Sequence, residues 1–171
     1  MIANSAAEDI PLQRRPTLGF LVENAAGEGD YQNLLWSGIV EAVREHHVNL
    51  LCFVGGTLRE DLVSPFQTQR NILYDLAGAE NIDGLIISAT IGNSLSKAEF
   101  QEFCHRYDPL PMVGVAMTQS GLPTIAVDNR SGMREAVTHL IKVHQYRRIA
   151  FIAGPAGNEE AAERYQTYID T

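Results

Sequence analysis

The chain has 171 residues, of which 45% are hydrophobic and 20% are charged, and its formal net charge at pH 7 is −8. This length and apolar content predict one globular domain of ordinary size and exclude a wholly disordered chain. The acidic balance argues against a nucleic-acid-binding surface, because non-specific phosphate binding requires a high density of Lys and Arg.

The N-terminal residues, the lack of a long apolar stretch in the sequence and the two cysteines together indicate in which cellular compartment the protein is located. Residues 1–16 contain two acids, Glu8 and Asp9, and no apolar run of secretory length, and no stretch of about 18 consecutive apolar residues occurs anywhere. Cys52 and Cys104 are too few for a disulfide framework and are expected to be buried, reduced thiols. We therefore predict a cytoplasmic protein with no membrane contact, with residues 1–16 as an N-terminal tail or linker.

From residue 17 onward, short apolar runs alternate with longer amphipathic segments. The apolar runs predict strands at Thr17–Val22, Asn49–Val54, Asp83–Ser88, Pro111–Ala116, Thr124–Val127 and Arg148–Ala153. Apolar residues at helical spacing predict helices at Tyr31–His46, Pro65–Ala77, Ser96–Tyr107 and Glu159–Ile169, and a further helix that begins at Asn129 or Ser131 and ends near Val143. Within the third helix, Ser96 and Glu99 have the spacing of a capping box. This alternation predicts an α/β fold with a doubly wound parallel sheet and helices on both faces.

In an open α/β sheet, ligands bind outside the carboxyl ends of the strands. The residues that follow the predicted strands are small and polar or carry a carboxylate, which suits hydrogen bonding to a polar small molecule. This group comprises Glu23, Asn24, Gly55, Gly56, Ser88 to Thr90, Met117, Asp128 and Asn129. The alternative is that these residues form turns and cap helices, and for Asp128 and Asn129 the two interpretations are equally supported.

Arg164 also has two interpretations. It lies in a predicted helix after a loop that contains Gly154 and Pro155, where its guanidinium could bind a ligand hydroxyl or carboxylate. Alternatively, it pairs with Glu160 one helical turn earlier, an interaction of about 0.2–0.5 kcal/mol.

The sequence carries no complete enzyme motif. Gly27 and Gly29 follow the first strand as in a dinucleotide-binding fingerprint, but Gln32 replaces the third glycine and no acid ends the second strand. A P-loop and a nucleophile elbow are absent from the sequence, and the five histidines lack zinc-site spacing. We therefore expect no catalytic residue, no metal and no cofactor.

The segment VDNRSGMREAVTHLIKVHQYRRIAFIAGP, at residues 127–155, resembles the LacI/GalR family of ligand-sensing domains. That family carries V-x-D-N-x-x-G-x-x-x-A-x-x-H-L-I, then a basic pair and I-A-F-I-x-G-P. Arg164 is similar to the arginine of the family's later A-x-x-R-x-x-G-F, and the first strand TLGFLV and the third strand, which begins with Asp83-Gly84, agree. The resemblance covers roughly residues 16–171.

The resemblance implies a type I periplasmic-binding-protein-like sensor, in which two α/β lobes close on a polar small molecule such as a sugar or nucleobase. Residues 17–129 would form the N-terminal lobe, and residues 130–171 the crossover helix and first strand–helix unit of an incomplete second lobe, so we expect a fragment. The implied ligand-binding residues are Glu23, Asn24, Tyr31, Gly55, Ser88, Asp128 and Arg164.

The sequence departs from the family pattern in two places. Gln145-Tyr146 replaces the glycine and histidine before the basic pair, and Thr167-Tyr168 stands where glycine and phenylalanine are expected. Residues 1–16 are also too short for a DNA-reading helix-turn-helix. These features make the chain more similar to the N-terminal sensor modules of bacterial signalling proteins than to a complete repressor.

Our hypothesis is a non-catalytic sensing input domain, either of a histidine kinase or diguanylate cyclase type protein or of a LacI-type transcriptional regulator. The alternative is a single-lobed Rossmann- or flavodoxin-like enzyme that binds a nucleotide or flavin. The resemblance also implies a homodimer, for which Leu34 and Trp36 on the first helix are candidates. Core packing is the other interpretation of Trp36.

Overall fold

The computed structural model describes residues 14–24, 30–58, 69–92, 95–117, 121–154 and 158–171, apart from the side chains of Asp30 and Tyr31. Residues 25–29, which include the glycines of the partial dinucleotide fingerprint, lie outside this part of the chain.

Five strands form one parallel sheet in the order β2-β1-β3-β4-β5. The strands are β1 (Thr17–Val22), β2 (Asn49–Val54), β3 (Gly84–Ser88), β4 (Met112–Val115) and β5 (Thr124–Ile125). Six residue pairs join β1 to β2, whereas only two join β4 to β5. The predicted doubly wound parallel sheet is confirmed, and its order reverses at β1, between β2 and β3.

The helices come close to their predicted bounds. They are α1 (Asp30–Glu45), α2 (Lys97–His105), α3 (Asn129–Lys142) and α4 (Glu159–Asp170), with 3-10 helices at Asn71–Leu76 and Ala89–Ile91. The capping box is present at the start of α2, where Ser96 N–H donates to Glu99 Oε2 at 2.6 Å and Glu99 N–H donates to Ser96 Oγ at 3.3 Å. The helix predicted at Pro65–Ala77 is described only from residue 69, and most of that part is 3-10 helix.

Helices cover both faces of the sheet because successive residues of a strand point to opposite faces. On one face, the Phe20 ring stacks on Trp36 of α1 with ring centroids 6.3 Å apart, so Trp36 packs on the sheet. On the other face, the alternate residues join the main apolar core with α2 and the 3-10 helix at Asn71–Leu76. This core includes Leu21, Phe53, Tyr74, Leu85, Ile87, Phe100, Phe103, Cys104 and Tyr107.

The strand predicted at Arg148–Ala153 is absent, and this prediction was wrong. Residues 148–154 have no regular secondary structure, and the side chain of Ile152 is 95% exposed. A strand requires a neighbour to pair its backbone N–H and C=O groups, and none of the described strands pairs with this segment. Contacts with α4 hold it instead: the Phe151 ring stacks on Tyr168, whose hydroxyl donates to the Ile149 carbonyl at 2.6 Å.

Candidate functional site

The reversal of strand order creates a crevice at the carboxyl ends of β1 and β3, the position at which open α/β sheets bind ligands. Glu23 and Asn24 follow β1 directly, and both are half-buried. Ser88 ends β3 on the other side of the crevice. The sheet topology therefore brings three of the residues predicted from the sequence to one edge.

Arg70, which was not predicted from the sequence, lies between the loop that follows β1 and the loop that follows β2. Its Nη2 donates to the backbone carbonyl of Glu23 at 2.9 Å and to Asn24 Oδ1 at 3.4 Å. A Cβ built on Gly56, in the loop after β2, would lie 3.7 Å from the Arg70 guanidinium carbon. The guanidinium therefore lies between the ends of β1 and β2, on the β2 side of the crevice.

Tyr74 lies four residues after Arg70 and contacts the ends of the same two strands from inside the core. Its ring is fully buried, and its hydroxyl is within hydrogen-bonding distance of the carbonyl oxygens of Val22, at 3.2 Å, and Gly56. Burial is the main cause that raises the pKa of the Tyr74 phenol well above its usual value, so the group acts only as a neutral donor. The spacing of Arg70 and Tyr74 is the signal that could have identified both.

Gly55 has a steric role in this arrangement. A Cβ at this position would overlap the Tyr74 ring, so the loop after β2 can close over Tyr74 only with glycine here. The Gly55 carbonyl accepts a hydrogen bond from Asn71 Nδ2 at 2.7 Å, and the same amide donates to Thr57 at 3.2 Å. Gly55 was predicted as a ligand contact, and the structure shows it as the residue that admits Tyr74.

The Ser88 side chain is buried and caps the short helix that follows it. Its Oγ accepts a hydrogen bond from Thr90 N–H at 3.4 Å and lies 3.0 Å from Thr90 Oγ1. The two hydroxyls form a polar pair on the β3 side of the crevice. The side chain of Tyr31, another predicted ligand contact, lies outside the part of the chain that the structure describes.

Asp128 begins α3 as its N-cap, with Oδ1 accepting a hydrogen bond from Ser131 N–H at 2.9 Å. That hydrogen bond is the main cause that lowers the pKa of the Asp128 carboxyl. Asp128 is exposed, whereas its neighbour Asn129 is buried. The capping geometry that was one of the two interpretations of Asp128 is therefore present.

Arg164 joins α4 to the start of α3. Its Nη1 donates to Asn129 Oδ1 at 2.6 Å and lies 3.7 Å from Glu160 Oε2. The expected pair with Glu160 is therefore present but long, and the shorter contact is to a residue 35 positions earlier. Helix spacing alone could not reveal that contact, because it depends on how α3 and α4 pack.

A small cavity of about 80 Å³ lies between α3 and α4, lined by Arg130, Arg134, Glu163, Gln166, Thr167 and Asp170. Ligand pockets usually enclose about 300–1,000 Å³, so this cavity is too small to hold a typical organic ligand. The crevice at the strand ends is the better candidate site.

The described residues contain neither a metal-binding cluster nor a membrane-spanning helix. They contain no group of three or more His, Cys, Asp and Glu side chains placed to hold a metal ion. None of their helices combines the length and apolar character required to cross a membrane.

Comparison with known proteins gives matches at the level of structure. No protein-family model and no curated protein matches the sequence. A periplasmic binding protein/LacI transcriptional regulator from Alkaliphilus metalliredigens, complexed with D-xylulofuranose, is 23% identical with a TM-score of 0.61, over 90% of this chain and 51% of that one. The transcriptional regulator CelR in complex with cellobiose is 24% identical with a TM-score of 0.57, over 91% and 46%.

The lac repressor dimer bound to operator and the anti-inducer ONPF is 17% identical with a TM-score of 0.67, over 99% of this chain and 55% of that chain. The chain thus spans about half the length of the solved structures that it matches. The match extends over nearly all of this chain, including α3 and α4. The chain therefore has the type I periplasmic-binding-protein-like fold of LacI-type ligand-sensing domains, as the resemblance to the LacI/GalR family predicted.

Proposed function

We propose that this chain belongs to a non-catalytic sensor for a polar small molecule, with a sugar as the first candidate class and a nucleobase as the second. Residues 17–129 are the N-terminal lobe, and residues 130–171 are the first part of a second lobe. The observation that carries this proposal is the polar edge at the carboxyl ends of β2, β1 and β3, where Arg70 donates hydrogen bonds to the Glu23 carbonyl and to Asn24 Oδ1.

The chemistry of this edge suits a polyhydroxylated ligand. A sugar hydroxyl both donates and accepts hydrogen bonds, and the edge offers guanidinium donors, an amide and a carboxylate. Both contacts made by Arg70 with described residues use Nη2, so the rest of its planar donor fork can serve a ligand. The matched regulators carry D-xylulofuranose and cellobiose, which supports the sugar class.

The second group of polar residues lies at the start of α3 and comprises Asp128 and the Asn129–Arg164 pair. In the proposed sensor, Asp128 contacts the ligand from the end of the N-terminal lobe, and Arg164 contacts it from the second lobe. Ligand binding then changes the closure of the two lobes by its differential affinity for the open and closed states.

The output is proposed to be a LacI-type regulator or a signalling protein of the histidine kinase or diguanylate cyclase type, located in the cytoplasm. We also propose that the protein forms a homodimer. Leu34 on α1 supports this proposal, because it is a large apolar residue that is 71% exposed. This segment itself is proposed not to bind nucleic acid, since its formal net charge is −8.

The alternative, a flavin- or nucleotide-binding enzyme, shares one feature with the structure: flavodoxin-like folds have the same strand order. Two observations distinguish the classes. Visible flavin absorbance in the purified chain, or saturable NAD binding, would support the enzyme; their absence together with sugar binding would support the sensor.

The test is an NMR titration of the isotopically labelled chain with D-xylulose, cellobiose and adenine in separate experiments. A sugar or base that binds should shift the amide signals of residues 23–24, 55–56 and 88–90. Arg70→Gln should weaken that binding at least about tenfold, because a hydrogen bond to a charged group contributes about 1.5–3 kcal/mol. Arg44→Gln, a change at an exposed site on α1, is the matched control and should leave binding unchanged. Titrations that move no signal at this edge, or an Arg70→Gln chain that binds as the wild type does, would overturn the proposal.

A further inference from the structure

Two histidines lie side by side at the carboxyl end of α3. The Nε2 atoms of His139 and His144 are 3.2 Å apart, and the rings meet edge to face with centroids separated by 4.9 Å. The His144 ring also stacks on Tyr146, at 5.4 Å between centroids and 15° between planes. The His144 ring therefore contacts both the His139 ring and the Tyr146 ring.

The end of the helix creates this pair. Residues five positions apart in a continuous α-helix point in different directions, but α3 ends at Lys142. Val143 N–H bonds to the His139 carbonyl at 2.9 Å, Tyr146 N–H bonds to the Leu140 carbonyl at 3.1 Å, and Gln145 has a φ of 57°. This turn folds His144 back beside His139, which is why helical zinc-site spacing did not find the two residues.

The two nitrogens are at hydrogen-bonding distance when one ring carries its proton on Nε2, and the same separation suits two ligands on one metal ion. Zinc–imidazole bonds are about 2.0–2.1 Å long, so cis nitrogens lie about 2.9–3.4 Å apart in square-planar or tetrahedral coordination. The observed distance between the Nε2 atoms, 3.2 Å, falls in this range. Both rings are exposed, so an ion can enter and water can complete its coordination. The negative end of the α3 dipole also favours a cation here.

We propose that His139 and His144 chelate one divalent transition-metal ion of the class that imidazole prefers: Cu²⁺, Ni²⁺ or Zn²⁺. Cu²⁺ binds most tightly, following the general order of affinity for nitrogen ligands. The site has two protein ligands, since no third His, Cys, Asp or Glu completes a group around them within the described ranges. This inference is independent of the proposed sugar site and uses none of its residues.

The test is calorimetric titration of the untagged chain with Cu²⁺ at pH 7.5, together with electron paramagnetic resonance of the copper-loaded chain. We expect one bound ion and hyperfine splitting from two imidazole nitrogens. His139→Asn and His144→Asn should each weaken binding at least about tenfold, because the second imidazole acts as an intramolecular ligand at high effective concentration.

Two controls locate the ion. His105→Asn removes an exposed histidine that pairs with Asp108, and His46→Asn/His47→Asn removes the adjacent pair at the end of α1; both should retain wild-type affinity. The proposal is overturned if Cu²⁺ binds equally well to the His139→Asn and His144→Asn chains, or if the His46→Asn/His47→Asn change abolishes binding. Circular dichroism of each variant verifies that the fold is intact.

Discussion

The sheet region, residues 17–117, and the helix-pair region, residues 121–171, bury their apolar side chains to very different extents. In the sheet region a continuous core connects three strands, α2 and two 3-10 helices. Among the described residues of the helix-pair region, the buried apolar side chains are Val137 and Ala161, and Ile152 is 95% exposed. Polar contacts join the elements of this second region, including Arg164 to Asn129 and Arg130 to Glu163. Apolar sequence runs therefore become buried strands only where a neighbouring element is present to cover them.

A matched pair of isoleucines tests this difference most directly. Ile87→Ala should lower the free energy of unfolding by about 2–5 kcal/mol, because Ile87 is fully buried in β3 and its removal leaves a cavity. Ile152→Ala should change it by less than about 0.5 kcal/mol, since an exposed side chain loses little burial. Urea denaturation followed by circular dichroism measures both. A large loss from Ile152→Ala would show that this side chain is covered in solution.

The sequence predicted most of the sheet region correctly for a physical reason. Strands covered on both faces appear as continuous apolar runs, and β1 and β2 have the predicted bounds. The same rule failed at Arg148–Ala153, because an apolar run indicates what a segment can bury and not whether a partner strand is present. The capping box of Ser96 and Glu99 was predictable because both of its partners lie within four residues.

The candidate site was predictable only in part. The positions of Glu23, Asn24 and Ser88 follow from the rule that ligands bind at strand ends. Arg70 was not predictable from this rule, because it reaches Glu23 from a helix 47 residues later in the chain. The partner of Arg164 was hidden for the same reason: Asn129 lies on another helix, and local spacing carries no information about that packing.

Two glycines provide the next test, this time within the sheet region. Gly55→Ala should cost about 1–3 kcal/mol of stability, because the new methyl group overlaps the buried Tyr74 ring. Gly38→Ala, inside α1 with no atom within 4 Å of the new Cβ, should instead stabilise the chain by about 0.5–1 kcal/mol. Thermal and urea unfolding of the two variants measure these opposite signs. Equal effects would mean that Gly55 is not closed over Tyr74.

The polar contacts of the helix-pair region have a smaller expected effect. Asn129→Ala should cost about 1 kcal/mol, because it removes the amide that accepts the hydrogen bond from the half-buried Arg164. Arg130→Gln breaks an exposed pair with Glu163 and should cost less than about 0.5 kcal/mol. Urea denaturation of both variants, compared with the wild type, gives the difference. If the two changes cost the same, the Asn129–Arg164 contact does not hold α3 to α4.

The smallest effect concerns one helix cap in each region. Hydrogen bonds from Ser131 lower the pKa of the Asp128 carboxyl at the start of α3, and hydrogen bonds from Ser96 lower that of Glu99 in α2. A carboxyl with a lower pKa in the folded state contributes stability above its unfolded pKa, and loses that contribution as the pH falls through the folded pKa. Asparagine at position 128 can still cap α3 but carries no charge.

The stability difference between wild type and Asp128→Asn should therefore be present at pH 5–7 and shrink as the pH falls below about 4. Glu99→Gln should behave in the same way within the sheet region, because its carboxylate also accepts a backbone hydrogen bond at a helix start. Urea midpoints at pH 7, 5, 4 and 3 measure the convergence of each variant with the wild type. A difference that stays constant or grows in acid would show that the charged form of the cap is not the one favoured by folding. Suppose that Glu99→Gln converges with the wild type in acid and Asp128→Asn does not. The carboxylate that stabilises the fold would then be that of Glu99 in the sheet region alone, and the start of α3 would be less firmly ordered than that of α2.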